Sequence, residues 1–353
     1  MSKYIDSAFS ALKEYVPGEQ PRDKKYIKLN TNESPYPPSP SVIKAISSDE
    51  VSDLRLYSDP ESSALKKAIA EVYGVESKNV FVSNGSDEIL NFAFMLYGNV
   101  KGAVFPEISY GFYKVFCDLY GIDKTMVPLE EDFTIDKSKY MSTGKFTVIA
   151  NPNAPTGIEM SKKDIEEIIE SNQDNVVLID EAYIDFGGTS CYELIRKYDN
   201  LIVCRTFSKA YSLAGARLGY CFAAEELIKD LEKIKYSTNP YNINRLTQKA
   251  GVAAMAENSY YMANCKRIAD TREYTTLELR KLDFEVLDSK ANFIFAKHES
   301  ISGMDIYTLL RQKGILVRHF TDERIKDYNR ITIGSREEME ALVKVMTEIV
   351  KGV

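Results

Sequence analysis

The strongest constraint on this sequence is an alternation of helical periodicity and short apolar runs that begins near residue 62 and continues past residue 200. Ser62 to Tyr73 repeats apolar residues at helical spacing and stops at Gly74, a helix C-terminal signal. Val80-Phe81-Val82 is a short apolar strand, after which Asn84-Gly85 turns the chain into a helix predicted from Ser86 to about Tyr97. Gly102 to Phe105, Phe146 to Ala150, Val176 to Ile179 and Leu201 to Val203 read as further buried strands. Between two of them, Ser161-Lys162-Lys163-Asp164 reads as a capping box that opens an amphipathic helix with Ile165, Ile168 and Ile169 on one face. Elements in this order predict an α/β fold, a mostly parallel sheet covered by helices.

The C-terminal third changes style. One long helical stretch is predicted from about Leu246 to Lys281. Strands follow near Phe284 to Leu287, Asn292 to Ala296 and Arg330 to Ile333, and a last helix opens at Ser335. That is an α+β pattern, and it predicts a smaller C-terminal domain. Upstream, the prolines of Ser34-Pro35-Tyr36-Pro37-Pro38-Ser39-Pro40 force an extended path, because each blocks helix for itself and disfavours it in its predecessor. The organisation expected is an N-terminal arm over 1–28, a large domain over 29–240 and a small domain over 241–353.

Composition narrows the function classes. The 353 residues carry 45 Lys and Arg against 52 Asp and Glu, a net charge of −7 that argues against a dedicated nucleic-acid or anionic-membrane binder. No stretch approaches the ~18 apolar residues of a membrane span, and the first residues lack the basic and apolar regions of a secretion signal. Five cysteines without a CxxC suit reduced thiols, so a cytoplasmic location is expected. Only two histidines occur, which excludes a multi-histidine metal site; no metal is expected.

In open α/β sheets, ligands bind beyond the carboxyl ends of the strands, and polar clusters follow four of the predicted strands. Asn84-Gly85-Ser86 opens a helix whose first N–H groups suit a phosphate, although an ordinary strand-turn-helix cap has the same pattern. Neither GxGxxG nor GxxxxGK[ST] is present. Asp180 ends an apolar strand, where an unpaired carboxylate is costly; it requires a cationic partner such as a protonated ring nitrogen, or else serves as a cap or structural ion pair. Lys209 directly follows a strand, and a lysine with a lowered pKa forms a Schiff base with an aldehyde. Arg217, among small residues, reads as a bidentate phosphate ligand or a packed surface arginine. A phosphate cradle, an acid for a ring nitrogen and a Schiff-base lysine are together the parts that pyridoxal phosphate needs.

These residues carry a resemblance over nearly the whole chain. The sequence resembles the fold-type I pyridoxal-phosphate aminotransferases, and more narrowly the histidinol-phosphate aminotransferase family. The matching motifs are Leu29-Asn30-Thr31-Asn32-Glu33-Ser34-Pro35-Tyr36, Leu56-Tyr57-Ser58-Asp59-Pro60, Asn84-Gly85-Ser86-Asp87-Glu88 and Asp180-Glu181-Ala182-Tyr183-Ile184-Asp185-Phe186. Further on come Thr206-Phe207-Ser208-Lys209-Ala210, Tyr241-Asn242-Ile243-Asn244-Arg245-Leu246 and Arg330-Ile331-Thr332-Ile333-Gly334.

The resemblance implies a fold-type I large domain, a transaminase and pyridoxal 5'-phosphate. It implies that Lys209 links to the cofactor and moves the proton between Cα and the cofactor, that Asp180 keeps the pyridine nitrogen protonated and that Tyr183 bonds the ring oxygen. It implies Tyr110 stacked on the ring, with Ser86, Asp87, Ser208 and Arg217 on the phosphate. Tyr57 would come from a second copy, making a homodimer part of the site. Arg330 would clamp the α-carboxylate of the amino-acid co-substrate and Arg318 the phosphate of histidinol phosphate. The substrates implied are L-histidinol phosphate and 2-oxoglutarate; an aromatic aminotransferase or a phosphothreonine decarboxylase of the same fold is the alternative. Two positions depart from the family pattern. Ala154 stands where the family has asparagine before Pro-Thr-Gly, so either Asn153 reaches the ring oxygen or Tyr183 carries it alone. Ser58 replaces the commoner proline after Tyr57.

Overall fold

The structure is a computed structural model that describes residue 9 and residues 12–13, 15–47 and 51–352. Most of the first fourteen residues, on which the expectation about a secretion signal rests, lie outside that set. Strand β1 (Ile27–Lys28) is followed by helices α1 (Pro40–Ala45) and α2 (Ser63–Tyr73). Next come β2 (Val80–Ser83), α3 (Ser86–Ala93), β3 (Ala103–Pro106), α4 (Phe112–Tyr120), β4 (Lys124–Val127), β5 (Phe146–Ala150) and α5 (Lys162–Ser171). The alternation closes with β6 (Val177–Asp180), β7 (Leu201–Thr206) and β8 (Gly219–Ala223).

These strands form a 7-stranded sheet in the order β2-β8-β7-β6-β5-β3-β4, parallel except where β8 inserts antiparallel between β2 and β7. Because β8 is reversed against both neighbours, β2 and β7 run the same way and finish at the same edge. Gly219 is the register partner of both Ser83 and Thr206. Apart from the edge strand β4, the sheet is buried on both faces, which is why its strands read as continuous apolar runs rather than alternating ones. Leu178 and Ile202 face one core with Phe94, Tyr113 and Phe116, while Ile179 and Val203 face the other. The period of two therefore puts Asp180, two residues after Leu178, on the face covered by α4.

The remaining elements are α6 (Glu225–Thr238), α7 (Arg245–Ala256), α8 (Asn258–Arg280), β9 (Phe284–Val286), β10 (Phe293–His298) and α9 (Gly303–Gln312). After them come β11 (Ile315–Leu316), β12 (Arg318–His319), β13 (Asn329–Thr332) and α10 (Arg336–Lys351). A 4-stranded antiparallel sheet, β12-β13-β10-β9, packs with α8 and α9. β1 pairs in parallel with β11, and Leu29 joins the two small sheets: its N–H donates to Leu316 O at 2.8 Å and its carbonyl accepts from Thr332 N at 2.9 Å.

Four local expectations differ from the structure. The extended path expected through Pro40 ends at Ser39, and Pro40 opens α1, because the first helical position needs no N–H and suits the fixed φ of proline. The stretch expected as one helix from Leu246 to Lys281 is two, α7 and α8, which meet at Glu257. α7 packs on α1 and α2, whereas α8 packs on β9 and α10, so the break lets one stretch serve two partners. The helix expected to reach Tyr97 is α-helical only to Ala93 and continues as a π turn from Phe94 to Gly98. At α5, Ser161 Oγ accepts from Asp164 N at 3.1 Å but itself donates to the Asp164 carboxylate, so only half of the capping box forms. The complete reciprocal box is at α10, between Ser335 and Glu338.

Candidate active site

Asp180, the last residue of β6, is 5% exposed; its carboxylate accepts from the Tyr113 hydroxyl at 2.8 Å and from Ala182 N at 3.2 Å. Both donors are neutral. Burial raises this carboxyl to about 6, and the two hydrogen bonds only restrain the rise. A cation against it would restore the ordinary carboxylate range. Lys209 lies in the turn after β7, where its Nζ donates to Thr31 O at 3.2 Å and sits 5.8 Å from the Tyr183 ring. Burial, helped by the Arg330 charge, lowers its pKa to about 8, so neutral amine is accessible near physiological pH.

The turn that carries Tyr183 is anchored from behind by a buried ion cluster. The Glu181 carboxylate accepts from Cys191 N at 2.7 Å and pairs with Arg205 at 3.4 Å, and Arg205 also pairs with Asp185. Breaking such a buried pair from one side costs about 3–5 kcal/mol, which makes the turn stiff. On the site side, the Tyr183 hydroxyl accepts from Asn32 Nδ2 at 3.0 Å.

The anion cradle forms where β2 ends. Gly85 is the N-cap of α3 with φ +78, and no described side chain caps this helix, leaving Ser86 and Asp87 N–H directed outward. A Cβ on Gly219 would come within 2.4 Å of the Ser86 backbone N, so close approach requires that glycine, whereas Gly85 is favoured by its φ of +78. Arg217, held at φ +54, donates to Asp87 Oδ2 at 2.9 Å and to Ser208 Oγ at 3.4 Å. The other Asp87 oxygen accepts from the Tyr110 hydroxyl at 2.8 Å. Ser86, Asp87, Tyr110, Ser208 and Arg217 thus come together.

Across the cleft, Arg318 and Arg330 are register partners on β12 and β13. Like charges directly opposite in an antiparallel pair repel, and burial, with a smaller contribution from the Arg318 charge, lowers the Arg330 pKa. Arg330 Nη2 donates to Asn30 O at 3.1 Å, while its buried Nε has no partner. Arg318 donates to Val16 O at 3.0 Å and to Pro17 O at 3.1 Å. Beside them Tyr15 packs 4.4 Å from Phe112 and edge-on to Tyr110 at 6.3 Å, so residues 15–17 lie over the site.

Two predicted residues have other partners. Asn153 is 1% exposed, and its amide ties its loop to the segment before Tyr110: Oδ1 accepts from Ser109 Oγ at 2.8 Å, and Nδ2 donates to Ile108 O at 3.0 Å and to Thr156 Oγ1 at 3.3 Å. Tyr57 is 78% exposed and stacks on Tyr241 at 4.4 Å. Three residues joined the site without being singled out in the sequence. Tyr113 has a legible signal, an aromatic on the inner face of α4 opposite Asp180; Asn32 and Tyr15 depend on contacts made far along the chain.

The groups present fit pyridoxal phosphate: a buried carboxylate lacking a cation, a lysine of lowered pKa and a side-chain-free cradle beside an arginine. Comparison with known proteins decides the family. The model of aminotransferase class I and II matches residues 24–346. A histidinol-phosphate aminotransferase of Brachyspira hyodysenteriae is 49% identical over 353 residues, covering 99% of this chain and 100% of that one. The chain belongs to the histidinol-phosphate aminotransferases. A second member of the family, from Clostridium acetobutylicum, is 45% identical over 351 residues, covering 99% of this chain and 100% of its own. The crystal structure of histidinol-phosphate aminotransferase from Sinorhizobium meliloti in complex with pyridoxal-5'-phosphate superposes with a TM-score of 0.86 at 25% identity, covering 93% of this chain and 92% of that one. The fold is therefore that of a fold-type I aminotransferase.

Proposed function

We propose that this histidinol-phosphate aminotransferase binds pyridoxal 5'-phosphate and moves an amino group between L-histidinol phosphate and 2-oxoglutarate, giving imidazole acetol phosphate and L-glutamate in histidine biosynthesis. The observation that carries the substrate reading is the Arg318–Arg330 pair. Two guanidinium groups held opposite one another are repulsive until an anion lies between or beside them. Arg330 is suited to the carboxylate of glutamate and Arg318 to the phosphate of histidinol phosphate, a binding that exchanges the Val16 and Pro17 carbonyls for a charged acceptor.

When bound, the cofactor supplies an aldehyde for the lysine and a ring that accepts electrons from the substrate Cα. Lys209, with its lowered pKa, would be the residue that links to the aldehyde, and its Nζ would hold the proton exchanged at Cα. Asp180 holds a proton on the ring nitrogen, and Tyr113 and Ala182 keep its carboxylate oriented. Ser86 and Asp87 N–H, Ser208 and Arg217 hold the phosphate, with Asp87 fixing the guanidinium. Tyr110 covers the ring. Tyr183 bonds the ring oxygen without help from Asn153, whose amide is engaged elsewhere. Tyr57 reaches the phosphate of a second copy, consistent with its exposure, so the working unit is a homodimer. The division into an arm, a large domain to residue 240 and a small domain from 241 belongs to the same reading. So does a cytoplasmic location; among the described residues, no helix is long and apolar enough to cross a membrane.

The test is a half-reaction. Protein loaded with pyridoxal phosphate is mixed with L-histidinol phosphate alone, and the cofactor absorption is followed. Parallel samples contain phenylalanine or phosphothreonine. Rapid spectral conversion with histidinol phosphate and little with the others is the expected result. Conversion by phenylalanine only would overturn the substrate assignment, and loss of carbon dioxide from phosphothreonine would make the protein a decarboxylase.

A further inference from the structure

We infer that Asn32, its amide locked by Thr332, is a positioning residue that makes Tyr183 a one-way hydrogen-bond donor toward the cofactor ring oxygen. The inference rests on the pyridoxal-phosphate reading and assigns the role left open at Ala154 and Asn153.

The argument is one of hydrogen counting at buried groups. Thr332 is 2% exposed, and its hydroxyl oxygen accepts from Asn32 N at 3.0 Å. The same hydroxyl lies 2.9 Å from Asn32 Oδ1, to which it donates its hydrogen. A buried hydroxyl hydrogen without an acceptor is costly, so this end of the Asn32 amide must be the carbonyl oxygen. The other end is then the NH2 group, 3.0 Å from the Tyr183 hydroxyl. An NH2 group only donates. Tyr183 must therefore accept from Asn32, and its own hydrogen is left for a partner inside the cleft. Without that direction, the phenol could turn its hydrogen to the amide and present only lone pairs to the ring oxygen.

The backbone holds Asn32 in place for this task. Its φ of +57 is a left-handed conformation that asparagine tolerates better than most residues. Asn292 Nδ2 donates to Asn32 O at 3.0 Å, and Asn292 is fully buried. Asn32 itself is 1% exposed, so water does not compete for its amide. Thr332 lies two residues after Arg330 on β13, which puts both side chains on one face of the strand. The strand that holds the substrate carboxylate thus also sets the direction of the Tyr183 hydrogen.

The test uses the holoenzyme and reads the pH at which the visible absorption of bound pyridoxal phosphate titrates. A hydrogen bond donated to the ring oxygen favours its anionic form and so lowers that pH. Thr332→Val keeps the shape and removes the hydroxyl; Asn32→Gly removes the amide at a φ that glycine accepts. Thr332→Val lets the amide turn its oxygen toward Tyr183 and should raise the titration midpoint by about one pH unit and weaken cofactor binding in equilibrium dialysis about tenfold, whereas Asn32→Gly removes the competing acceptor and should titrate close to the wild type. Thr332→Ser keeps the hydroxyl and should titrate with the wild type. A midpoint unchanged in the Val variant, or raised as far in the Gly variant as in the Val variant, would overturn the inference. So would an equal rise in Val and Ser, since packing rather than the hydroxyl would then be responsible. A wild-type protein that takes up no pyridoxal phosphate would overturn the cofactor reading as well, and shows itself before any variant is compared.

Discussion

Replacing Asp180 by Asn should make the cofactor-free protein more stable at neutral pH while abolishing transamination. The carboxyl rises from the ordinary 3.8 to about 6 because burial strips its water and only neutral groups replace it. At about 1.4 kcal/mol per pH unit, that rise is a penalty of about 3 kcal/mol on the folded state when Asp180 is ionised. The sign follows from proton counting. Between about pH 4 and 6 the unfolded chain has released the proton and the folded chain still holds it, so stability falls as pH rises and the full penalty applies above 6. Asparagine never ionises, and its amide can serve both the Tyr113 hydroxyl and Ala182 N–H. Urea unfolding of the cofactor-free proteins should therefore show Asp180→Asn more stable by about 3 kcal/mol at pH 7.5 and by about half of that at pH 5. A variant no more stable than wild type at pH 7.5, or a gap that does not shrink at pH 5, would refute the reasoning.

Lys209→Ala should leave a folded protein without turnover, checked by circular dichroism and the half-reaction. Cofactor uptake by the wild type should accelerate as pH rises through about 8, where the Lys209 amine loses its proton. Arg318→Leu should raise the KM for histidinol phosphate about 10- to 100-fold, as expected for a lost charge-assisted bond, and leave that for glutamate much less changed; equal losses would mean that the two arginines are wrongly assigned. Gly219→Ala inserts a methyl within 2.4 Å of Ser86 N and should displace the α3 N-terminus. A cofactor affinity about tenfold weaker, with about 1–3 kcal/mol lost from stability, is expected from equilibrium dialysis and denaturation.

What could be read from the sequence follows the range of the forces involved. Local signals served well: apolar runs marked most strands of the large sheet, Gly74 and Ser335 marked helix ends, and Asp180 and Lys209 declared themselves as charges where apolar strands stop. The split of α7 from α8 at Glu257 had no proline or glycine beside it, because it is dictated by which neighbours each half packs on. β8 escaped notice, although its reversal brings Gly219 between β2 and β7 and so builds the cradle. Asn32 carries one local hint, an asparagine among extended residues, but its partners Tyr183 and Thr332 lie 151 and 300 residues away. Tyr57 shows the opposite limit: it is exposed and stacks only on Tyr241 among the contacts of its own chain, so its proposed role rests on a second copy that no single sequence displays.

The joining of β1 to β11 and of Asn32 to β13 also has a consequence in time. Ile27 finds its partner at Ile315, and Asn32 waits for Thr332. Such closures carry the largest loop entropy in the chain and come late in folding. During synthesis the large sheet has all its strands once residue 223 has emerged, and Asp180 at the end of β6 and Lys209 just after β7 then both belong to adjacent strands of the formed sheet. On the inferred role of Asn32, Tyr183 acquires its orientation only when the last strand, β13, has left the ribosome. A growing chain can thus be a folded body long before it is a catalyst, which keeps a reactive lysine without a finished site until the molecule is whole.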